Sequence, residues 1–395
     1  MKTKIPSRFI GLALLAGVCR AAAQLPVITS FSRNGVLVCS NLNPGSTCTV
    51  QWASSLTGSW SNLYTLTVAA NQSVVASVPI KSVVASVPMF YRVLGLATTN
   101  AATTNAPAGM ALIPAGTFTM GNTIGDSDIG DATPTNIYVS AFYMDVNLVS
   151  YSQWTNVYAY ATSHGYNFAH VGSGKNSAAN QPVQTVDWFD CVKWCNARSQ
   201  QAGLTPVYYA DAGYTQVFMK GDSGRTVYQN LTTNGYRLPT EAEWEKASRG
   251  GLSGQRFPWG NTISDSQANY YAYPLSLNSD GYAYDVNSYT GYNPTCATGG
   301  SPYTSPVGSF APNGYGLNDM AGNVWEWCWD WYGTPYGQST NTNPTGSGPG
   351  SGCRVLRGGG WGGYASLARC AFRYYYHDYP VNAYNDIGFR CVRGL

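Results

Sequence analysis

From residue 109 to the C-terminus, short segments alternate with stretches rich in Gly, Asn and Tyr, and this pattern limits the folds available to the chain. Three segments have the apolar spacing and end signals of a helix: 150–161, 187–202 and 239–247. The strand-like runs are short. Because aromatic residues make up 14% of the chain, we expect the long loops to be packed against a core. The expected fold class is α+β with little regular secondary structure.

The three helices have recognisable starts. Ser150 and Asp187 precede the first two and are good N-cap residues. Thr240 precedes the third, and Glu243, three residues on, completes a capping box. Gly203 is a natural terminator for the second helix.

The N-terminal part of the chain differs from the rest. Residues 1–23 combine basic residues, a short apolar run and small residues, which is typical of a secretory signal peptide. Residues 25–96 contain short β-branched and aromatic runs broken by turns, which predicts a small β domain. Residues 97–108 are small and polar, and we expect a linker there. Residues 109–395 would then form one larger domain.

Charge is sparse, and this excludes some functions. There are 22 basic and 19 acidic residues, so the net charge of +3 is too small and dispersed for binding a phosphate backbone. After the predicted signal peptide, no apolar run is as long as the roughly 20 residues that a membrane-spanning helix needs. We therefore expect no nucleic-acid partner and no membrane span, and we expect the protein to be secreted, periplasmic or at the cell surface.

The cysteines fit that compartment, because disulfides persist outside the cytosol. Cys39 and Cys48 flank the turn sequence Asn-Pro-Gly at 43–45, so we expect a hairpin closed by a structural disulfide. The chain has ten cysteines, and nine remain after cleavage following Ala23. Because nine is odd, at least one thiol is unpaired or pairs outside the chain.

Eight short blocks follow one another in a characteristic order. They are the segments 109–121, 182–188, 236–245, 257–261, 313–317, 322–327, 357–359 and 388–391. In this order they resemble the formylglycine-generating enzyme, or sulfatase-modifying factor, family, over roughly residues 109–393. The resemblance implies a C-type-lectin-like fold with little regular secondary structure, stabilised by bound calcium and disulfides.

The resemblance implies two calcium sites. The better match uses the side chains of Asp319 and Glu326 and the carbonyls of Gly322 and Val324. Closely spaced oxygen donors on a glycine-bearing loop suit Ca²⁺, although Asp319 and Glu326 are alternatively a helix cap and a surface acid.

The other calcium site maps less cleanly. It would use Asn269, the carbonyl of Tyr270 and an acid that is either Asp280 or Asp285, because a Tyr- and Asn-rich insertion lies there.

The resemblance argues against the catalytic chemistry of the family. Formylglycine-generating enzymes oxidise a substrate cysteine with O₂, using copper held by two cysteines downstream of an Arg-Gly-Gly-Ser block; thiolates are the ligands that Cu(I) prefers. Here the block reads Arg-Gly-Gly-Gly at 357–360, and both copper cysteines are missing. Cys370 matches instead a structural cysteine, whose family partner position is Ser248. Calcium is thus the expected cofactor and copper is not.

The same comparison assigns the remaining cysteines. It predicts the pairs Cys195–Cys391, Cys328–Cys353 and Cys191–Cys370, with Cys296 free. The histidines His164, His170 and His377 lack a metal-binding helical spacing, so we expect loop or surface roles for them.

An aromatic and amide surface replaces the missing copper site. Tyr and Asn provide amphipathic contact area and adaptable hydrogen bonds, so we expect a ligand-binding surface. The alternative is that these tyrosines pack the core of the domain. The expected ligand contacts are Trp325, Trp361, Tyr364, Tyr374, Tyr376 and Asn385. The sequence therefore favours a secreted, non-catalytic, calcium-stabilised binding or accessory module for an extracellular protein, peptide or glycan. The alternative is an oxidoreductase that converts a sulfatase cysteine to formylglycine with O₂, on a relocated thiol site at Cys370.

Overall fold

The computed structural model describes residues 106–395, except 334–335, 337–339, 347, 351 and 375–378, and six strands before them. The chain separates into two units, Met1–Asn105 and Ala106–Leu395. This division falls inside the stretch 97–108, the predicted linker. The predicted signal peptide, 1–23, lies outside the described residues.

The described elements of the first unit are all strands. They are β1 (Val27–Phe31), β2 (Val36–Ser40), β3 (Thr47–Ala53), β4 (Ser61–Thr67), β5 (Ala76–Pro79) and β6 (Phe90–Leu96). They form two antiparallel sheets, with strand orders β1-β2-β5 and β4-β3-β6.

This topology corrects the hairpin predicted between Cys39 and Cys48. Cys39 lies in β2 and Cys48 in β3, which belong to different sheets. Each strand already has a neighbour on both of its hydrogen-bonding edges, so β2 and β3 have no edge left to pair with each other. The segment between them therefore leads from one sheet to the other, and the predicted hairpin is wrong. The disulfide itself stays a prediction.

The second unit contains the three predicted helices. They are α1 (Tyr151–Ser163), α2 (Trp188–Gln201) and α3 (Glu241–Ser248), with a 3₁₀ turn at Lys175–Ser177. Ser150 and Asp187 cap α1 and α2, and Thr240 with Glu243 forms the predicted capping box on α3. Among the described residues, no helix is long and apolar enough to cross a membrane.

The strands of this unit are short. They are β7 (Met110–Ile113), β8 (Gly116–Met120), β9 (Thr135–Val139), β10 (Phe142–Asp145), β11 (Tyr208–Tyr209), β12 (Tyr228–Gln229), β13 (Tyr271–Ala272), β14 (Gly291–Tyr292), β15 (Trp325–Trp331), β16 (Arg354–Arg357), β17 (Ile387–Gly388) and β18 (Val392–Arg393). They pair as β18-β10-β7, β16-β15-β17, β8-β9, β11-β12 and β13-β14, with β17 parallel to β15. The α+β class is as expected.

Aromatic packing joins α1 to α2. Trp154 of α1 stacks on Trp194 of α2 with ring centroids 5.8 Å apart, and Phe389 meets both rings edge-on. Both tryptophans are fully buried. Offset and edge-to-face contacts of this kind add to the stabilisation from burial alone.

Helix α3 is held by buried ion pairs. Glu245 contacts Arg357 at 2.5 Å and Arg249 at 2.8 Å, and its carboxylate also accepts the Gly121 amide at 2.7 Å. Although burial acts to raise it, the charges of Arg249 and Arg357 lower the pKa of Glu245 overall. One turn earlier, Glu241 pairs with Arg373 at 2.5 Å. Helix α3 is thereby fixed to β16 and to the C-terminal segment.

Replacing the central carboxylate tests this arrangement. We expect Glu245→Gln to lower the free energy of unfolding by about 3–5 kcal/mol, because Arg249 loses its carboxylate partner and Arg357 is left with Glu241 at 3.1 Å. The exposed Asp280, which accepts only the Tyr273 hydroxyl, provides the matched control, and Asp280→Asn should change stability by less than about 0.5 kcal/mol. Urea unfolding measures the free energy of unfolding of both variants. If both variants lost an equally small amount of stability, the fold would not depend on the Glu245 ion pairs.

Candidate functional site

Seven aromatic rings form a continuous surface, which we call the aromatic tract. Its members are Tyr271, Tyr273, Tyr282, Tyr292, Tyr303, Trp361 and Tyr364. Tyr364 lies 5.1–6.0 Å from three of these rings, measured between centroids. Tyr292 lies 5.7 Å from Trp361 and also contacts Tyr271, which in turn contacts Tyr364. Trp361 and Tyr364, both predicted ligand residues, are therefore linked by a series of ring contacts. The structure thus brings Trp361 and Tyr364 together.

Backbone pairing positions the tract. The β13–β14 register sets Tyr271 opposite Tyr292, and the Tyr271 amide donates to the Gly363 carbonyl at 2.9 Å. Tyr364 and Tyr292 are 41% and 38% exposed, so they form the accessible face, whereas Trp361 is 9% exposed. The sequence reasoning did not include the five tyrosines from the 269–303 region that belong to the tract. The density of Tyr in that insertion was the signal that could have found them.

Three further predicted ligand residues, Trp325, Tyr374 and Asn385, lie among the described residues. Trp325 stacks on Tyr374 with centroids 4.9 Å apart and is only 5% exposed. The Trp361 indole donates to the carbonyl of Asn385, an exposed residue, at 3.2 Å. A Cβ at Gly360 would lie 3.1 Å from the Trp325 ring, so the glycine allows this close approach. Burial gives Trp325 a supporting position rather than an open contact face, and Tyr376 lies outside the described residues.

The predicted calcium residues Asp319 and Glu326 are both buried, and they differ in what they contact. Asp319 Oδ2 accepts the Gly308 amide at 2.7 Å, whereas Oδ1 has no hydrogen-bond partner among the described residues. Burial raises the pKa of Asp319 to about 6. Both Glu326 oxygens accept from Arg390, at 2.7 and 2.9 Å. The expectation of a surface acid at Glu326 is therefore wrong, and the orphaned Asp319 oxygen fits a cation.

The residues of the other predicted calcium site make hydrogen bonds within the protein. Asp285 accepts the Tyr270 hydroxyl at 2.9 Å and the Tyr273 amide at 2.7 Å. The Asn269 amide group donates to the Tyr303 carbonyl at 2.8 Å. The Tyr270 hydroxyl thus contacts Asp285, whereas Asp280 is exposed and accepts the Tyr273 hydroxyl. Because both carboxylate oxygens of Asp285 already accept hydrogen bonds from the protein, the structure gives this calcium site no support.

Comparison with known proteins identifies the scaffold of this site. A family model described as the sulfatase-modifying factor enzyme 1-like domain matches residues 96–395. This chain belongs to the formylglycine-generating enzyme family. Formylglycine-generating enzyme from Bos taurus is 33% identical over 304 residues, covering 72% of this chain and 75% of that protein.

Other relatives of this family member have different names. Chaperone protein LppX from Paenibacillus barcinonensis is 30% identical over 267 residues, covering 65% of this chain and 82% of that protein. The solved structure of Treponema denticola variable protein 1 is similar with a TM-score of 0.52 at 26% identity, over 72% of this chain and 95% of that one. CarF gives a TM-score of 0.53 at 26% identity, with 72% and 98% covered.

The cysteine pair that the family resemblance predicted most directly is well placed. The sulfur atoms of Cys195 and Cys391 lie 3.5 Å apart, and both residues are fully buried. In the β15–β16 register, Trp327 lies opposite Leu356, and the Cys353 carbonyl accepts the Tyr332 amide. The Cys328–Cys353 bond stays a prediction.

Cys370 lies against α3 and not against Cys191. The Ser248 hydroxyl donates to the Cys370 sulfur at 3.3 Å, so the two positions that this family joins by a disulfide remain in contact. Cys191 packs in the α1–α2 core together with Cys195 and Cys391, and Cys370 lies outside that cluster, so the structure argues against the Cys191–Cys370 bond. Burial raises the pKa of Cys370, which leaves it a protonated, inaccessible thiol.

Restoring the second cysteine should restore the bond. We expect Ser248→Cys to form a disulfide with Cys370 under oxidising conditions and to stabilise the protein by about 2–4 kcal/mol. Mass mapping without reductant detects the bond, and unfolding with and without reductant measures its effect. Ser248→Ala, which removes only the hydrogen bond, is the control and should cost about 1 kcal/mol. A Ser248→Cys protein that keeps both thiols free would show that the two positions are not aligned for bonding.

Proposed function

We propose that this protein is a secreted, calcium-stabilised binding or accessory module of the formylglycine-generating enzyme family, with a fold distantly similar to C-type lectins. The observation that carries the proposal is the aromatic tract, of which two rings, Trp361 and Tyr364, lie in the loop directly after the Arg-Gly-Gly block, where the resemblance places the copper cysteines. Residues 360–369 contain no cysteine. The first one that follows, Cys370, is 1% exposed.

The tract has the chemistry of a recognition surface. Exposed tyrosine rings at Tyr364 and Tyr292 offer flat apolar faces for the C–H surface of a sugar or an apolar peptide side chain, and their hydroxyl groups remain available for hydrogen bonds. The cross-strand pairing of Tyr271 with Tyr292 holds the rings in place, which lowers the entropy lost on binding. The names of LppX, a chaperone, and of the Treponema variable protein support a role other than oxidation.

Calcium would be held at Asp319. Its unpartnered Oδ1 supplies a charged donor, and the carbonyls of Gly322 and Val324 supply neutral ones. Glu326 can contribute while still paired with Arg390, because a carboxylate has about four acceptor positions. Bound calcium would neutralise the buried Asp319 charge, and the ion serves structure rather than chemistry.

Removing calcium should therefore destabilise the protein. At free calcium about 100 times the Kd, the expected stabilisation is about 2.7 kcal/mol, seen as a higher melting temperature than in chelator. Asp319→Asn should abolish the difference between the two conditions. Asp280→Asn, at the acid that the structure places away from Tyr270, should keep it. Identical melting of the native protein with calcium and with chelator would contradict the calcium proposal.

Mutation of the exposed rings tests the binding surface. The native protein is screened on an immobilised glycan array and a cysteine-free peptide array, and affinities for the strongest hit are measured for Tyr364→Ala and Tyr292→Ala. We expect each to weaken binding at least about tenfold, because truncated aromatic anchors are typical hot spots. Tyr228→Ala, at a comparably exposed tyrosine on β12, should bind normally. Equal binding by all three variants would show that the tract is not the ligand surface.

Copper titration separates this function from the oxidase alternative. The binding-module proposal expects no stoichiometric Cu(I) binding, and no O₂ uptake with a Cys-x-Pro-x-Arg peptide, because no thiolate pair is accessible near the tract in the described residues. Tight copper binding that is lost in Cys370→Ser, together with peptide turnover, would overturn it.

A further inference from the structure

The first turn of α2 carries a cluster of potential metal ligands distant in sequence from the aromatic tract. His170, Asp187 and Asp190 each present one donor atom, and these atoms all lie within 4.8 Å of one another. His170 Nδ1 is 3.0 Å from Asp190 Oδ2 and 3.6 Å from Asp187 Oδ2. One imidazole nitrogen and two carboxylates therefore converge on one point.

An unpartnered oxygen points into this cluster. Asp187 is 1% exposed, and its Oδ1 caps α2 by accepting the Asp190 amide at 2.7 Å. Its Oδ2 has no hydrogen-bond partner among the described residues. A buried carboxylate oxygen without a hydrogen-bond partner is costly, and the imidazole of His170, 3.6 Å away, lies beyond hydrogen-bond distance of it.

The lysine nearest this cluster contacts other carboxylates. Lys193 lies 3.2 Å from Asp190 Oδ1 and is shared with Asp222 at 2.7 Å. Asp187, Asp190 and Asp222 thus share one lysine and one histidine.

The segment carrying His170 is fixed by the fold. The Trp154 indole donates to the Val171 carbonyl at 2.8 Å. Gly172 has φ +70°, and a Cβ there would lie 2.5 Å from the Trp154 indole nitrogen, so only glycine lets the loop approach this closely. The Asp190 carboxylate accepts the backbone amides of Ala169 and His170, both at 2.9 Å. His170 is thereby held against α2 before any ion binds.

We propose that His170, Asp187 and Asp190 form a site for a divalent transition-metal ion of the Zn²⁺ class. One imidazole and two carboxylates match the donors and spacing of a tetrahedral ion with bonds of about 2.0–2.2 Å. An imidazole ligand favours such an ion over Ca²⁺, which takes oxygen donors, so the site is chemically distinct from the one at Asp319. The His170 side chain is 32% exposed, so a fourth position is open to water. The bound ion would cross-link the 169–172 loop to α2.

Zinc titration of the metal-free, full-length protein tests the site. We expect one equivalent of Zn²⁺ to bind, with binding lost in His170→Ala and in Asp187→Asn. Asparagine is as good an N-cap as aspartate, so Asp187→Asn removes the ligand charge while keeping the helix start. His164→Ala is the matched control, because His164 is an exposed histidine at the end of α1 and contacts only Ser163 and the Tyr160 carbonyl through its Nδ1. It should bind zinc normally.

Two further measurements keep the outcome clear. Unfolding curves without metal show that each variant is folded before its binding is compared. Co²⁺ substituted for Zn²⁺ should give visible bands of a nitrogen–oxygen site. A thiolate charge-transfer band in the near ultraviolet would place the ion at the buried cysteines Cys191, Cys195 and Cys391, and would overturn the proposal. Unchanged zinc binding in His170→Ala, or no binding by the native protein, would overturn it as well.

Discussion

Buried arginine–carboxylate pairs are the constraint on which the second unit depends. Arg357, Arg369 and Arg390 are at most 1% exposed, in a chain where only 10% of residues are charged. A buried guanidinium group is tolerated only when its charge and its N–H groups are matched, so each one dictates what surrounds it. Arg357 meets this demand with Glu245 and with the carbonyls of Cys370 and Phe372. Few alternative arrangements of these loops would satisfy the same donors.

The same pairs position the surface assigned to ligand binding. Arg357 ends β16, and the loop that follows it carries Trp361 and Tyr364, so the ion pair with α3 fixes where this loop begins. The ion pair between Glu326 in β15 and Arg390 fixes the other side of this loop. Next to Glu326, the Trp325 amide donates to the Asp386 carbonyl at 2.7 Å. The aromatic tract thus rests on a rigid base although its own strands are only two residues long. Because the rings are already ordered in the free protein, a surface of this kind loses little conformational entropy when it binds a ligand.

Two local contacts near the Arg-Gly-Gly block depend on small or unpaired residues. Gly360 allows the close approach of the Trp325 ring, and Ser248 donates a hydrogen bond to the Cys370 sulfur. The two proposed cation sites have one feature in common. Among the described residues, Asp319 and Asp187 are each buried with one oxygen that has no hydrogen-bond partner, which is costly for a carboxylate.

The sequence by itself determined the elements whose signals are local. Helix starts at Ser150, Asp187 and Thr240 depend on residues three positions apart, and the ordered blocks carried the family. The tertiary structure alone decided which distant residues meet, because loop paths depend on the packing of the whole domain. Tyr271 reaches Tyr364, β2 and β3 enter different sheets, and His170 reaches the first turn of α2 with no spacing motif to announce it. These long-range contacts depend on charge compensation between distant residues and on close packing, which no local sequence pattern specifies.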